Sequence, residues 1–283
     1  MSRKITVDDK VLADIGRGFT VPARPELLLK LQDLMAQDDT DLNEIAETIS
    51  LDVAISATIL KTVNSPLYGL ARSISDIKKS VRYLGISGVY SLVTGCLLKQ
   101  GFSQDSCSIA LDEFWQNSSN IANISVYIGK QIKQNISSEK LFTIGLFHDC
   151  GIPVMAMKYD NYQQVLDFSL HNPQQTLPEI EEQQYQINHA TLGYYVASSW
   201  RLPKDICQLI LRHHERDFLN ILDNSAMQLT FAILKMAENI AYQHKHFCDC
   251  ADWQYLHSLV FSVLDIDEDQ YKDIMEDISD KLI

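Results

Sequence analysis

Apolar residues recur along this chain at intervals of three and four, the spacing that lays a stripe along one side of a helix. In "TDLNEIAETIS" the stripe is Leu42, Ile45, Ala46 and Ile49, and Thr40 or Asp41 stands where a cap for the first turn belongs. "LDVAISATILKTV" repeats the device, with Asp52 as cap and Val53, Ile55, Ile59, Leu60 and Val63 as the buried side. "NSPLYG" interrupts, with Pro66 and Gly69 punctuating a turn. "SISDIKKSVRYLG" restarts with Ser75 as cap and stops at Gly85, a residue suited to a helix C-terminus. "ISGVYSLVTGCLLKQG" adds a helix ending near Gly101.

A second run of helices begins at about residue 108. "DEFWQNSSNIANISVYIGKQI" turns Phe114, Ile121, Ala122, Ile124 and Ile128 inward. "EKLFTIGLFHDCG" reads as a helix closed by Gly151, and "YDNYQQVLDFSLHN" as the next. "LPEIEEQQYQINHATLGYYVASSWRLP" reads as one helical stretch broken at Pro203. "KDICQLILRHHE" is short, "SAMQLTFAILKMAENIAYQ" long and mostly apolar, and the tail from Trp253 predicts two short helices. Strand-like alternation is hard to find. The expected fold is all-α, a two-part helical bundle. Its boundary falls near "GFSQDSCSIA", giving an N-terminal part over 1–105 and a C-terminal part over 106–283.

The 283 residues are ample for a core, and 46% hydrophobic with 22% charged residues is ordinary for a globular chain. The formal net charge of -13 argues against tracking a nucleic-acid backbone, which takes clustered Lys and Arg. The densest basic patch, Lys78, Lys79 and Arg82, is short and mixed with apolar residues. The N-terminus has no apolar signal segment, and no run approaches about 18 uninterrupted apolar residues, so no membrane span is expected. The six cysteines (Cys96, Cys107, Cys150, Cys207, Cys248 and Cys250) form no CxxC pair and fit a reducing cytoplasm.

Four of the eight histidines lie near apolar helix ends: His148, His189, His213 and His214. With Asp149 they offer the imidazole and carboxylate ligands that iron, manganese, zinc and nickel accept. Neighbours on a regular helix point about 100° apart, so His213 and His214 can face one point most easily at a helix end. The alternative for each histidine is a hydrogen-bonded core or surface residue. A rival metal candidate is "HKHFCDC", with His244, His246, Cys248 and Cys250 within seven residues, for which an exposed loop is the plainer reading.

The chain resembles the HDOD domain, the HD-related output domain of bacterial signalling proteins, over roughly residues 15 to 245. The resemblance is carried by "VPARPELLLKLQDLM", by Asn64-Ser65 and Leu84-Gly85 at helix ends, and by "FWQNSSNIA", "GLFHDCG", "NHATLGYYVASSWRLP" and "LRHHE" in that order. It implies an HD-domain-like C-terminal half. In the wider HD superfamily of metal-dependent phosphohydrolases, histidines and aspartates bind one or two metal ions. By that likeness His148 and Asp149 match the HD pair. His189, His213 and His214 match the later histidines that, with the bridging aspartate, hold a second ion. The pattern departs elsewhere. Asn117 stands where the first histidine belongs, Ile152 where a lysine often follows the HD pair, and Glu238 where the final aspartate is expected. The chain reads "ERDFLN" after His214-Glu215 where a GYP-type enzyme has its signature.

Two functions follow as expectations. The first is a stand-alone, cytoplasmic signalling or regulatory module with a degenerate HD site. It would bind a protein partner, or a nucleotide signal between the two helical halves, and take no nucleic acid or membrane as partner. The second is a metal-dependent phosphohydrolase. One divalent ion (Fe, Mn, Zn or Ni) held by Asp149, His189, His213 and His214 would polarise a phosphoryl oxygen. His148 or Glu238 would join the site or shuttle a proton. An anionic substrate would then need a basic wall, for which Arg212, Lys158 and Arg201 are nearest in sequence.

Overall fold

A computed structural model describes residues 18–281, apart from 38, 66–67, 69, 71, 133–135, 173 and 222–224. The turn residues Pro66 and Gly69 lie outside the described residues. The chain is helical, with no strand among the described residues. It divides into two compact units, Pro22–Gly101 and Phe102–Lys281, the latter together with residues 18–21.

The first unit contains α1 (Glu26–Met35), α2 (Leu42–Ser50), α3 (Val53–Val63) and α4 (Ile77–Gln100). Aspartates start three of them. Asp41 accepts from the Asn43 N–H at 2.8 Å, Asp52 from Ile55 at 2.9 Å and Asp76 from Lys79 at 2.8 Å. The cap of α4 is thus Asp76, one residue beyond the expected Ser75. A carboxylate accepts from a backbone N–H with full charge, which also suits the positive end of the helix dipole. On α3 the buried stripe is Ile55, Ile59 and Val63, each four residues on. Val53, expected inward, is 80% exposed because two residues from Ile55 is more than half a helical turn.

Gly85 breaks α4 with φ 73 and ψ 172, a conformation open almost only to glycine, so the continuous helix is two segments meeting at a kink. By length and composition α4 could cross a membrane. Here it is the central helix of its unit, packed by α2 and α3 and burying Val81, Val89, Val93 and Leu98. Beside it, the Asn64 side chain accepts from the Ile74 N–H at 2.7 Å and donates to Leu60 O and Ile74 O, both at 2.8 Å. An asparagine amide thereby ties the end of α3 to the segment leading into α4.

The second unit runs α5 (Leu111–Gln131), α6 (Ser138–Phe147), α7 (Ile152–Lys158), α8 (Tyr162–His171), α9 (Leu177–Tyr185), α10 (His189–Ser199), α11 (Lys204–Arg212), α12 (Phe218–Ile221), α13 (Ser225–His246), α14 (Trp253–Leu264) and α15 (Glu268–Lys281). Its axis is α13, which packs on α5, α6 and α14 and buries Phe231, Ala232, Ile233, Leu234, Met236 and Ala237 completely. Phe114 of α5, expected inward, is only half-buried, and Trp115 fills the core position. α10 and α11 pack together, and α7 lies on α10.

Two expectations are corrected in this unit. The stretch 177–201 is two helices, because Gln186 takes a left-handed conformation (φ 59) and Asn188 starts α10 by accepting from the Thr191 N–H at 2.8 Å. α6 ends at Phe147, and Gly151 begins a further helix, α7, rather than closing α6. Gly151 is needed for close approach. A Cβ there would lie 1.9 Å from His189 O and 2.6 Å from Gly193 N, both backbone atoms of α10. Gly151→Ala must therefore separate α7 from α10. We expect a loss of about 1–3 kcal/mol in unfolding free energy, the usual cost of overpacking. A denaturant midpoint equal to wild type would contradict it.

Candidate metal centre

Three helix ends deliver Asp149, His189, His213 and His214 to one point, with His148 beside them. His148 caps the C-terminus of α6, its N–H donating to Ile144 O at 2.9 Å, and Asp149 follows in the turn to α7. His189 is the first residue of α10. His213 is the C-cap of α11 and His214 comes next. At that helix end both rings turn inward, with centroids 4.1 Å apart.

Asp149 Oδ1 lies 3.1 Å from His213 Nε2 and 3.3 Å from His189 Nε2, and His189 Nε2 lies 3.0 Å from His214 Nε2. One ligand atom each from Asp149, His189, His213 and His214 falls within 4.8 Å of the others. The other carboxylate oxygen, Asp149 Oδ2, lies 3.1 Å from His148 Nε2, which in turn is 3.4 Å from Glu238 Oε1. Asp149 thus bridges two half-sites, one with three imidazoles and one with His148 and Glu238.

The far nitrogens explain which atoms face inward. His213 Nδ1 donates to Ile210 O at 2.7 Å, and His148 Nδ1 to Gly145 O at 2.8 Å. A carbonyl oxygen only accepts, so in the neutral ring the proton sits on Nδ1 and Nε2 keeps its lone pair. His189 Nδ1 is held at 2.7 Å by the buried carboxylate of Glu181, which also accepts from the His189 N–H at 3.0 Å and from the Tyr162 hydroxyl. His214 Nδ1 lies 3.7 Å from Asp252, whose carboxylate is gripped by Arg216 at 3.0 Å. Partners of this kind orient metal-binding imidazoles and raise their basicity.

Glu181 was not visible as a site residue in the sequence. It lies in a run of polar residues on α9, and only the tertiary fold buries it against His189. Replacing it by glutamine keeps the size and removes the charge. Glu181→Gln is expected to weaken metal binding about tenfold. A titration with manganese(II) that returns the wild-type affinity would contradict this.

Burial pulls the Asp149 pKa up, but the charge and hydrogen bond of His148 and the hydrogen bond from His189 overcome it and hold the carboxyl far below its ordinary range. Burial lowers the His189 pKa, yet the carboxylates of Glu181 and Asp149 reverse this and raise it to about 10. His148 is also raised, against burial, by Asp149 and Glu238. Burial leaves His213 below its ordinary value and His214, with His213 beside it, far below. The Lys235 ammonium adds to the lowering in both. In the metal-free centre the Nε2 proton of His189 lies between Asp149 Oδ1 and His214 Nε2, while His213 Nε2 offers its lone pair. The donor set of three imidazoles and one carboxylate suits a divalent transition metal.

Two of the four ligands, Asp149 and His214, border a cavity of about 600 Å³. Asn117, His148, Asp149, His214 and Glu238 line it, with Lys235, a charged residue on a mostly apolar helix. Lys235 is buried, its Nζ 2.7 Å from Glu238 Oε2. Burial alone would lower its pKa; Glu238 and Asp252 hold it above its ordinary value. The expected basic wall is elsewhere. Arg212, Lys158 and Arg201 do not line this cavity. Arg212 turns back to Glu215 at 2.6 Å, and Lys158 lies over the Phe19 ring. The rival cluster at 244–250 forms no metal-binding group among the described residues. His244 and His246 lie on the last turn of α13 and not in a loop, and the loop that follows is tied down by Asn239, which donates to Asp249 at 2.8 Å and accepts from the Cys250 N–H at 2.9 Å. All six cysteines are free.

The HDOD domain profile matches residues 21–216. The chain is similar to an uncharacterised protein of Treponema pallidum, 24% identical over 212 residues. That match covers 74% of this chain and 40% of the relative, so the chain spans well under half that protein's length. Among solved structures it resembles an HDOD domain protein of unknown function from Geobacter sulfurreducens, with TM-score 0.68 and 20% identity over 96% of this chain and 93% of the other. A presumed phosphohydrolase from Shewanella amazonensis superposes with TM-score 0.69 and 19% identity over 95% and 93%. A presumed signal transduction protein from Marinobacter aquaeolei gives TM-score 0.69 and 14% identity over 98% and 60%. At these identities the structures speak for the fold, and the profile match, spanning more than half the sequence, shows that the chain belongs to the HDOD domain family.

Proposed function

We propose that this protein is a signalling or regulatory HDOD module whose second unit holds one divalent transition metal through Asp149, His189, His213 and His214. A phosphate-bearing signal such as a nucleotide then binds in the adjoining cavity. The observation that carries the reading is the convergence of three imidazole Nε2 atoms on Asp149 Oδ1, with the opposite nitrogens of His189 and His213 hydrogen-bonded away from the centre. A metal there would supply Lewis-acid polarisation of a phosphoryl oxygen. The residues themselves orient the rings and keep the cavity open beside them.

A second reading, phosphohydrolase activity, is favoured by the cavity that borders the ligands and by His148 Nε2, which faces Asp149 and Glu238 within it. Against turnover stands the half-site of His148 and Glu238, which offers one imidazole and one carboxylate beside Asp149, with the Glu238 carboxylate already engaged by Lys235. The expected combination is therefore metal without rapid hydrolysis. Elemental analysis of untagged protein purified without chelator, paired with assays on bis(p-nitrophenyl) phosphate and cyclic dinucleotides, tests both. About one ion per chain with no turnover supports the signalling module. Metal-dependent turnover favours the enzyme, and no metal defeats both.

A further inference from the structure

The half-site around His148 has a single imidazole, and an ammonium stands beside its carboxylate. Asp149 Oδ2, His148 Nε2 and Glu238 Oε1 form a chain of contacts at 3.1 and 3.4 Å, and the second Glu238 oxygen is held by Lys235 Nζ at 2.7 Å. Lys235 lies on α13 inside the core, 4% exposed, yet it borders the cavity. A charge of this kind is almost never fully buried unless it is paired, and here Glu238 is the partner. An ammonium has three donors, and Glu238 takes one of them. The other lysine at the cavity, Lys245, is bound to Glu113 at 2.5 Å and half-exposed. The rest of the wall carries several carboxylates, and the chain as a whole is acidic. His148, also on this wall, turns its Nε2 to Asp149 and Glu238, which leaves a bound metal and Lys235 as the cations open to an anionic ligand.

We propose that Lys235 is the fixed second cation of this centre. It stands in place of a second metal ion and donates to a phosphoryl oxygen of a ligand held beside the first. This rests on the single-metal reading given above and adds the group that recognises phosphate. Two physical arguments support it. A divalent ion bound to Glu238 beside a buried ammonium would set like charges together in a poorly screened interior. A phosphoryl group, with charge spread over several oxygens, is best matched by two positive centres on different sides. Glu238 then has a role other than metal ligand, as the anchor that aims Lys235.

The test combines metal counting with binding of inorganic phosphate. Wild-type protein in excess manganese(II) is expected to take up one ion per chain and to bind phosphate. Lys235→Met keeps the apolar stem and should retain that ion while binding phosphate at least tenfold more weakly, with Lys235→Arg recovering part of the loss. Two ions per wild-type chain would overturn the proposal, whether or not the methionine variant folds. So would phosphate affinity indifferent to residue 235, or no phosphate binding by metal-loaded wild type. One ion with any of those phosphate results removes this inference alone. No ion in wild type removes the single-metal reading and this inference with it.

Discussion

Asp149→Ala should empty the metal centre, taking the protein from about one ion per chain to none. Asp149 is the carboxylate of the four-ligand group, and its two oxygens serve both half-sites. Removing it leaves three imidazoles without the anion that offsets a divalent charge. The affinity should fall by more than the tenfold to hundredfold typical of losing an outer hydrogen-bond partner. Stability gives a second readout. An ion present at 100 times its dissociation constant stabilises the folded chain by about 2.7 kcal/mol. A chelator should therefore lower the melting temperature of wild type and leave that of the variant unchanged. Asp149→Asn, nearly isosteric, gives the same comparison if the alanine variant folds poorly. Metal retained at one ion per chain in either variant would remove Asp149 from the centre.

Metal uptake should release protons and tighten steeply with pH. In the metal-free protein His189 keeps its proton until the pH nears 10, whereas His213 and His214 are already neutral at pH 7. An ion bound at His189 Nε2 must displace that proton. Between about pH 7 and pH 10 the apparent affinity is expected to rise roughly tenfold per pH unit, flattening above that range. Calorimetry in two buffers of different ionisation enthalpy should count about one proton released per ion at pH 7.5. A count of zero would contradict the charge state assigned to His189. The metal-free protein shows the opposite trend. A histidine whose folded pKa lies above its unfolded value of about 6.5 stabilises the fold fully below that pH, and the contribution is lost as pH rises through about 10. Alkaline conditions should weaken the metal-free chain and favour the loaded one.

Much of this was legible in the sequence, for a reason particular residues make plain. Asp41 and Asp52 announce helix starts because capping is local chemistry between a side chain and the next turn. Gly85 marks a break because its conformation is a property of one residue. Harder to read was anything decided across the fold. Val53 faces outward although it is apolar, because the register of α3 is set by Ile55, Ile59 and Val63. The break at Gln186 hid within a stretch of good helix formers, with Asn188 as its one sign. The histidines were visible as types of ligand. The charged groups that aim them, Glu181 and Asp252, lie in stretches that look solvated, and Lys235 looks like an interruption in an apolar helix. Their roles depend on which helices meet, and that is settled by packing.

The contact of Gly151 with the backbone of α10 has a wider consequence. It sets the spacing of the turn that carries Asp149 from the helix that begins at His189 through main-chain atoms alone. The approach of these two elements is therefore set by the framework, whatever side chains the ligand positions carry. Single ligands can then be exchanged while the scaffold stands, as with asparagine at 117, where the family resemblance expects histidine. It also makes the protein a ready platform for redesign, in which histidine at 117 and a neutral residue at 235 would be the first pair of changes toward a two-ion centre.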